Sequence, residues 1–333
     1  MIESLIRRSE LADIYEKVMT CERLNFEDGL RLYESYDLTA IGGLANLMRE
    51  RKSGNLTYYV RNQHINYTNI CNKFCKFCSF YALPRDPAAY TLTPEQIQDR
   101  VRQYLDIPIT EIHMVAGINP KLPYSYYLGI LRAVKEVRPE VHIKAFTMVE
   151  LAEISRQAKK PLEEVLPELM EAGLDSLPGG GAEVFSDRVH EELFPLKQNG
   201  SQWLEMARTA HRLGLPSNAT MLYGHIERPD EKVDHLIRLR ELQDETGGFY
   251  CYIPLEFHPE NTDLEGLPHV TGYDNLKEIA IGRLMLDNFD HIKAFWVMIT
   301  PQVAQAALWY GADDIDGTVM EYEITRDAVT DTR

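Results

Sequence analysis

From Tyr58 to Gly317, short apolar runs alternate with stretches whose apolar residues recur at helical spacing, and this alternation leaves few folds open. Strands are expected at 65–68, 112–115, 143–147, 175–177, 217–221, 250–255, 292–298 and 313–317. Helices are expected between them at about 94–106, 123–137, 162–173, 201–213, 230–245, 273–288 and 301–310. Tyr124, Tyr127, Leu128, Leu131 and Val134 share one face of the second helix, and the fifth starts behind Pro229 and stops at Gly247-Gly248. Strands that alternate with helices pair in parallel, and eight of them predict an α/β fold closed into a (β/α)8, TIM-type barrel. Residues 1–55 read instead as a helical preface, with Asn25 capping one helix and Thr39 another. The expected division is therefore a helical segment at 1–55 and a barrel at 56–333.

Barrels of this kind carry their chemistry at the carboxyl ends of the strands. The loop after the first expected strand holds Cys71, Cys75 and Cys78, with Phe77 just before the last. Three thiolates so spaced can hold three irons of a 4Fe–4S cluster and leave the fourth iron open, whereas clusters built for electron transfer are closed by four cysteines. A structural zinc site stays open as a reading, although zinc knuckles ordinarily show a four-ligand set with Cys-x-x-Cys pairs and the nearby fourth candidate here is His64. A disulfide framework fits poorly, because five cysteines in 333 residues are few and three of them crowd one loop. Cys21 and Cys251 read as ordinary thiols, either of which could in principle be a fourth cluster ligand.

Charge narrows the partners. With 35 basic and 51 acidic side chains the formal charge is −16, which argues against nucleic acid and anionic membrane surfaces and favours a small-molecule substrate. Neither a long apolar N-terminal region nor a run of eighteen apolar residues is present, so a cytoplasmic location is expected.

The cysteine loop resembles that of radical S-adenosylmethionine (SAM) enzymes. The likeness extends through His64-Ile65-Asn66-Tyr67-Thr68-Asn69-Ile70, Asp86-Pro87-Ala88-Ala89-Tyr90, Ser176-Leu177-Pro178-Gly179-Gly180-Gly181-Ala182-Glu183, Asn218-Ala219-Thr220-Met221-Leu222-Tyr223-Gly224-His225, Phe257-His258-Pro259-Glu260 and Gly311-Ala312-Asp313-Asp314-Ile315-Asp316-Gly317-Thr318. Together these resemble the menaquinone-pathway enzymes of the futalosine route, and most closely the aminofutalosine synthase family. The resemblance implies that SAM chelates the open iron and is split by one electron into methionine and a 5′-deoxyadenosyl radical. That radical would add to the alkene of 3-[(1-carboxyvinyl)oxy]benzoate. Aryl migration and decarboxylation would follow, giving 6-amino-6-deoxyfutalosine and bicarbonate. It also implies an electron donor such as flavodoxin or ferredoxin. The sister family, cyclic dehypoxanthine futalosine synthase, is the alternative, and a non-catalytic iron–sulfur or zinc protein is a remoter one.

Carried onto this chain, the resemblance makes Cys71, Cys75 and Cys78 cluster ligands and sets Phe77 near the adenine. Ala116 and Gly117 fall where backbone groups would meet the SAM amino group, and Gly181 and Glu183 where the ribose hydroxyls would be bound. The chain departs from the family pattern at Ala116, where relatives tend to have glycine, and at Asn119, where they tend to have histidine. Alanine is harmless there if that φ is negative. Two substrate carboxylates call for donors, and arginine suits them best. Arg85 is the candidate, whereas Arg283 reads as part of a structural pair. Asn66, Thr68, His225 and His258 are further substrate candidates at strand ends. Asp313, Asp314 and Asp316 read as hydrogen-bonding and capping groups at the end of the last strand. The pentapeptide His-Ile-Lys-Ala-Phe occurs at 142–146 and again at 291–295, expected strands three and seven. Convergent strand chemistry explains this, and an ancestral half-barrel duplication is the other explanation.

Overall fold

A computed structural model describes residues 2–320 and 323–324. The stretch 325–333, assigned above to the barrel, lies outside the described residues. Four helices come first: α1 (Ile2–Ile6), α2 (Ala12–Met19), α3 (Phe26–Glu34) and α4 (Leu38–Ser53). Asn25 caps α3 as expected, in a reciprocal box with Asp28. The cap of α4 is Asp37 rather than Thr39, because the Asp37 carboxylate reaches the Ala40 N–H at 2.9 Å.

The alternating part then runs β1 (Tyr58–His64), α5 (Pro94–Arg102), β2 (Glu111–Met114), α6 (Tyr124–Val137), β3 (His142–Ala145), α7 (Met148–Ala158), α8 (Leu162–Glu171), α9 (Asp187–Leu193) and α10 (Gly200–Arg212). It continues with β4 (Ser217–Tyr223), α11 (Pro229–Thr246), β5 (Phe249–Glu256), α12 (Gly272–Met285), β6 (His291–Ala294), α13 (Trp296–Ile299), α14 (Pro301–Ala307) and β7 (Asp314–Met320). All pairings are parallel, in the order β3-β2-β1-β7-β6-β5-β4.

The expected fourth strand, 175–177, is reduced to two bridging residues. Ser176 pairs with Lys144 of β3 and Leu177 with Ser217 of β4, both in parallel. The Ala145 N–H donates to the Ser176 carbonyl at 3.1 Å and the Asn218 N–H to that of Leu177 at 3.0 Å. This bridge joins the two ends of the seven-stranded sheet, so the barrel closes through its shortest member.

Three expectations need correction. The first strand lies at Tyr58–His64, not 65–68, because its ladder is set by pairing with β7 and β2. The expected strand 292–298 stops at Ala294, and Trp296–Ile299 turn into a helix. Asp313, Asp314 and Asp316 stand at the beginning of the last strand rather than its end. The expected Arg283 pair is present and fully buried: its guanidinium donates to Asp313 at 2.7 Å and to the Gly311 carbonyl at 2.8 Å. Asp313 also accepts from Ser53 Oγ at 2.5 Å, which ties the end of α4 to the start of β7.

Candidate active site

The carboxyl ends of the strands open into a cavity of about 320 Å³. After β1 the chain leaves the sheet and is fastened to the 88–91 segment. Thr68 Oγ1 donates to the Tyr90 carbonyl at 2.7 Å, and Asn69 Nδ2 to that of Ala88 at 2.9 Å. The Cys71 N–H to Ala82 carbonyl bond at 3.3 Å closes the loop on itself, and the Cys78 N–H turns back to the Cys75 carbonyl at 3.1 Å. All three thiols thereby line the cavity. Cys21 and Cys251 are not among the lining residues.

The loop after β2 presses against this one. The Gly117 N–H donates to the Thr68 carbonyl at 2.9 Å. A Cβ on Gly117 would stand 2.5 Å from the Ile70 carbonyl oxygen, so glycine is required here by close approach of two backbones. Ala116 is not in the positive-φ region, so a methyl group costs nothing at that position. Its N–H donates at 3.2 Å to Glu150, which the Tyr67 hydroxyl also contacts at 2.6 Å. Burial pushes the Glu150 carboxyl up to about 7 against these donors. Asn119 is not a lining residue; its side chain reaches Thr91 Oγ1 at 3.3 Å and accepts from the Lys121 N–H at 3.1 Å.

On the far side, the glycine loop brings Gly181 and Glu183 to the cavity. Gly181 has φ +88° and Glu183 φ +49°, an uncommon angle for a residue with a side chain. Glu183 is fixed by Lys197, whose Nζ lies 2.5 Å from its carboxylate and 4.9 Å from the Phe77 ring centroid. Phe77 meets Phe194 edge to face, with centroids 5.9 Å apart.

Of the residues expected at the site, Cys71, Cys75, Phe77 and Cys78 line this one cavity, as do Ala116, Gly117, Gly181, Glu183 and His258. Four substrate candidates do not. Asn66 is buried and donates to the Val115 carbonyl at 2.7 Å, and Thr68 is spent on the 90–91 segment. Arg85 is exposed on the loop beyond the cysteines. The His225 ring is held by the Leu222 carbonyl at 3.0 Å and the Ile226 N–H at 2.7 Å.

Among the lining residues that sequence reasoning missed are His113, Lys144, Lys197 and Lys293. His113 stacks on His64 with centroids 4.5 Å apart. Burial pushes His64 down to about 3 and His113 well below its usual range, so both rings are neutral near pH 7.

Residues 65–240 match the model of the radical SAM superfamily. The chain belongs to that superfamily. In this radical SAM enzyme, residues 246–333 further match the CofH/MqnC C-terminal region. Across 96% of its length the enzyme is 47% identical to an aminodeoxyfutalosine synthase of Thermus thermophilus, covering 87% of that protein. It is 37% identical to a cyclic dehypoxanthine futalosine synthase of Halalkalibacterium halodurans, over 95% of this chain and 86% of the other. Among solved structures, methylornithine synthase superposes with a TM-score of 0.76 at 18% identity, over 96% of this chain and 90% of that one.

The cofactors of such an enzyme are a 4Fe–4S cluster with three cysteine ligands and SAM. The donors present fit the cluster. Three thiols share a cavity that neither of the other two cysteines lines. Burial pushes the Cys75 thiol up to about 12 and Cys78 in the same direction, so both need the charge of bound iron to become thiolates near neutrality. No described helix is long and apolar enough to cross a membrane.

Proposed function

We propose that the enzyme joins the 5′-deoxyadenosyl group of SAM to 3-[(1-carboxyvinyl)oxy]benzoate. Aryl migration and loss of the carboxylate as bicarbonate then yield 6-amino-6-deoxyfutalosine and methionine. The observation that carries this reading is the 47% identity to an aminodeoxyfutalosine synthase, which runs through nearly the whole chain rather than the cluster loop alone.

Cys71, Cys75 and Cys78 would hold the cluster. When bound, it supplies the electron that splits SAM. The remaining steps ask the protein for position and dryness more than for proton transfer. Phe77 packs beside the nucleoside, backbone groups at Ala116 and Gly117 receive the methionyl amino group, and Gly181 and Glu183 receive the ribose. Lys197 holds Glu183 in place and, lying over the Phe77 ring, fixes both sides of the nucleoside site together. The apolar walls, Val115, Leu222, Ile253, Leu255 and Phe257, exclude water from the carbon-centred radical. The reaction is placed in the cytoplasm, with flavodoxin or ferredoxin as electron donor.

Methionine release under anaerobic conditions tests the class of chemistry. Reconstituted protein with dithionite and SAM should form methionine, and Cys71→Ser, Cys75→Ser or Cys78→Ser should each abolish it. A protein that binds iron yet forms no methionine with the benzoate present is a carrier, and the proposal fails.

A further inference from the structure

The interior of this barrel is charged where such interiors are ordinarily packed with Val, Ile and Leu. Lys144 of β3 and Lys293 of β6 both line the cavity, and they occupy the same place in the two copies of His-Ile-Lys-Ala-Phe. In the ring β3-β2-β1-β7-β6-β5-β4, closed by the Ser176–Leu177 bridge, three members separate β3 from β6 on either side. The two lysines therefore project from opposite walls. They are buried, 3% and 5% exposed.

Burial alone would strip a lysine of its proton. Here each is kept charged by carboxylates. Lys144 Nζ lies 2.8 and 3.0 Å from the two oxygens of Glu111, and Lys293 Nζ 3.1 Å from Asp316 and 3.5 Å from Asp314. Buried ion pairs of this kind contribute little to stability that apolar residues could not supply. Their arrangement suggests another use. Lys144 lines the cavity and Glu111 does not, so the ammonium stands between its carboxylate and the open space. Lys293 is placed likewise with respect to Asp314, whereas Asp316, its nearer partner, lines the cavity beside it. An ammonium has three donors, so each lysine retains donors beyond those its carboxylates take. The other titratable groups level with Lys144 are His113 and His64, both neutral, and they add no competing charge. The other cavity lysines are engaged elsewhere, Lys197 by Glu183 and Lys73 by the Leu196 carbonyl at 2.9 Å.

We propose that Lys144 and Lys293 are the carboxylate-binding residues of the substrate site, two opposed ammonium groups that grip a small aromatic dicarboxylate at its two ends. An anion between them also relieves their mutual repulsion. The identity of the dicarboxylate rests on the function proposed above, and the assignment of the lysines adds to that function the groups that orient its alkene.

The test removes each lysine together with its carboxylates, so that no buried charge is stranded: Lys144→Met with Glu111→Gln, and Lys293→Met with Asp314→Asn and Asp316→Asn. Cluster uptake after reconstitution reports folding. The expected result is at least a tenfold rise in KM for the enolpyruvyl benzoate in each folded pair variant, with a smaller change in kcat. Lys144→Arg, which keeps the cation, should lie between variant and wild type. A benzoate methyl ester should lose its sensitivity to one pair and keep it to the other. Pair variants that bind the dicarboxylate as wild type does would show that the lysines only neutralise their neighbours, and would overturn the proposal while leaving the function intact. Wild-type protein that neither binds nor converts the compound would overturn the substrate, and the lysine assignment with it.

Discussion

Gly117 shows how much a single residue can decide at this site. Its missing side chain lets the loop after β2 lie against the Ile70 carbonyl, directly before Cys71. Gly117→Ala would push two backbones apart at the root of the cluster loop. The expected outcome is a loss of at least tenfold in SAM cleavage with a fall in iron bound per chain, read by anaerobic reconstitution. Glu150 makes a second residue-scale prediction. Its carboxyl holds a proton to about 7 in the folded protein, against about 4.5 when unfolded. Its contribution to stability is therefore full below about 4.5 and is lost as pH rises through 7. Urea midpoints of wild type should fall relative to those of Glu150→Gln between pH 4.5 and 8, and parallel curves would refute this. The cysteines were legible in their spacing, whereas the place of Phe77 came only with the family resemblance. Lys144 and Lys293 were legible in part: period-2 alternation in His-Ile-Lys-Ala sets lysine on the face opposite Ile and Ala, but nothing local says that this face is the inside. Lys197 left no local signal, since only the fold brings it to Glu183 and Phe77.

Elements with apolar faces and capping residues were the readable ones. Asn25 and Pro229 mark helix starts that the structure keeps, and Thr147 with Glu150 forms a capping box that marks α7, which periodicity alone passed over. Replacing Asn25 with Ala should cost about 1 kcal/mol, measured by denaturant unfolding, because the Asp28 N–H loses its acceptor. Strands were harder wherever they serve the cavity. In β1 the buried Asn62, Gln63 and His64 give no hydrophobic alternation, whereas Ile65-Asn66-Tyr67-Thr68 just beyond it alternates as a strand would. At 295–299 the opposite happened: Phe295, Trp296, Val297 and Ile299 favour strands, yet Ala294 ends β6 and the chain turns into α13.

At the scale of the whole molecule, closure depends on small junctions. The Ser176–Leu177 bridge joins the two ends of the sheet, and the Arg283–Asp313 pair locks α12 to the start of β7, with Ser53 linking the helical preface to both. Arg283→Met should destabilise the chain by about 3–5 kcal/mol in equilibrium unfolding, since Asp313 would be left charged and buried, and adding Asp313→Asn should recover part of the loss. Eight alternating units made the barrel readable from sequence, whereas the bounds of β1 depend on its pairing with β7, which follows every other strand in the chain. The chemistry proposed for that barrel differs from its sister reaction in the fate of the adenosyl carbons. Incubating reconstituted enzyme anaerobically with dithionite, the enolpyruvyl benzoate and SAM labelled in its ribose follows those carbons directly. Label recovered in 6-amino-6-deoxyfutalosine, in step with methionine, is the expected result; label recovered only in 5′-deoxyadenosine would contradict it.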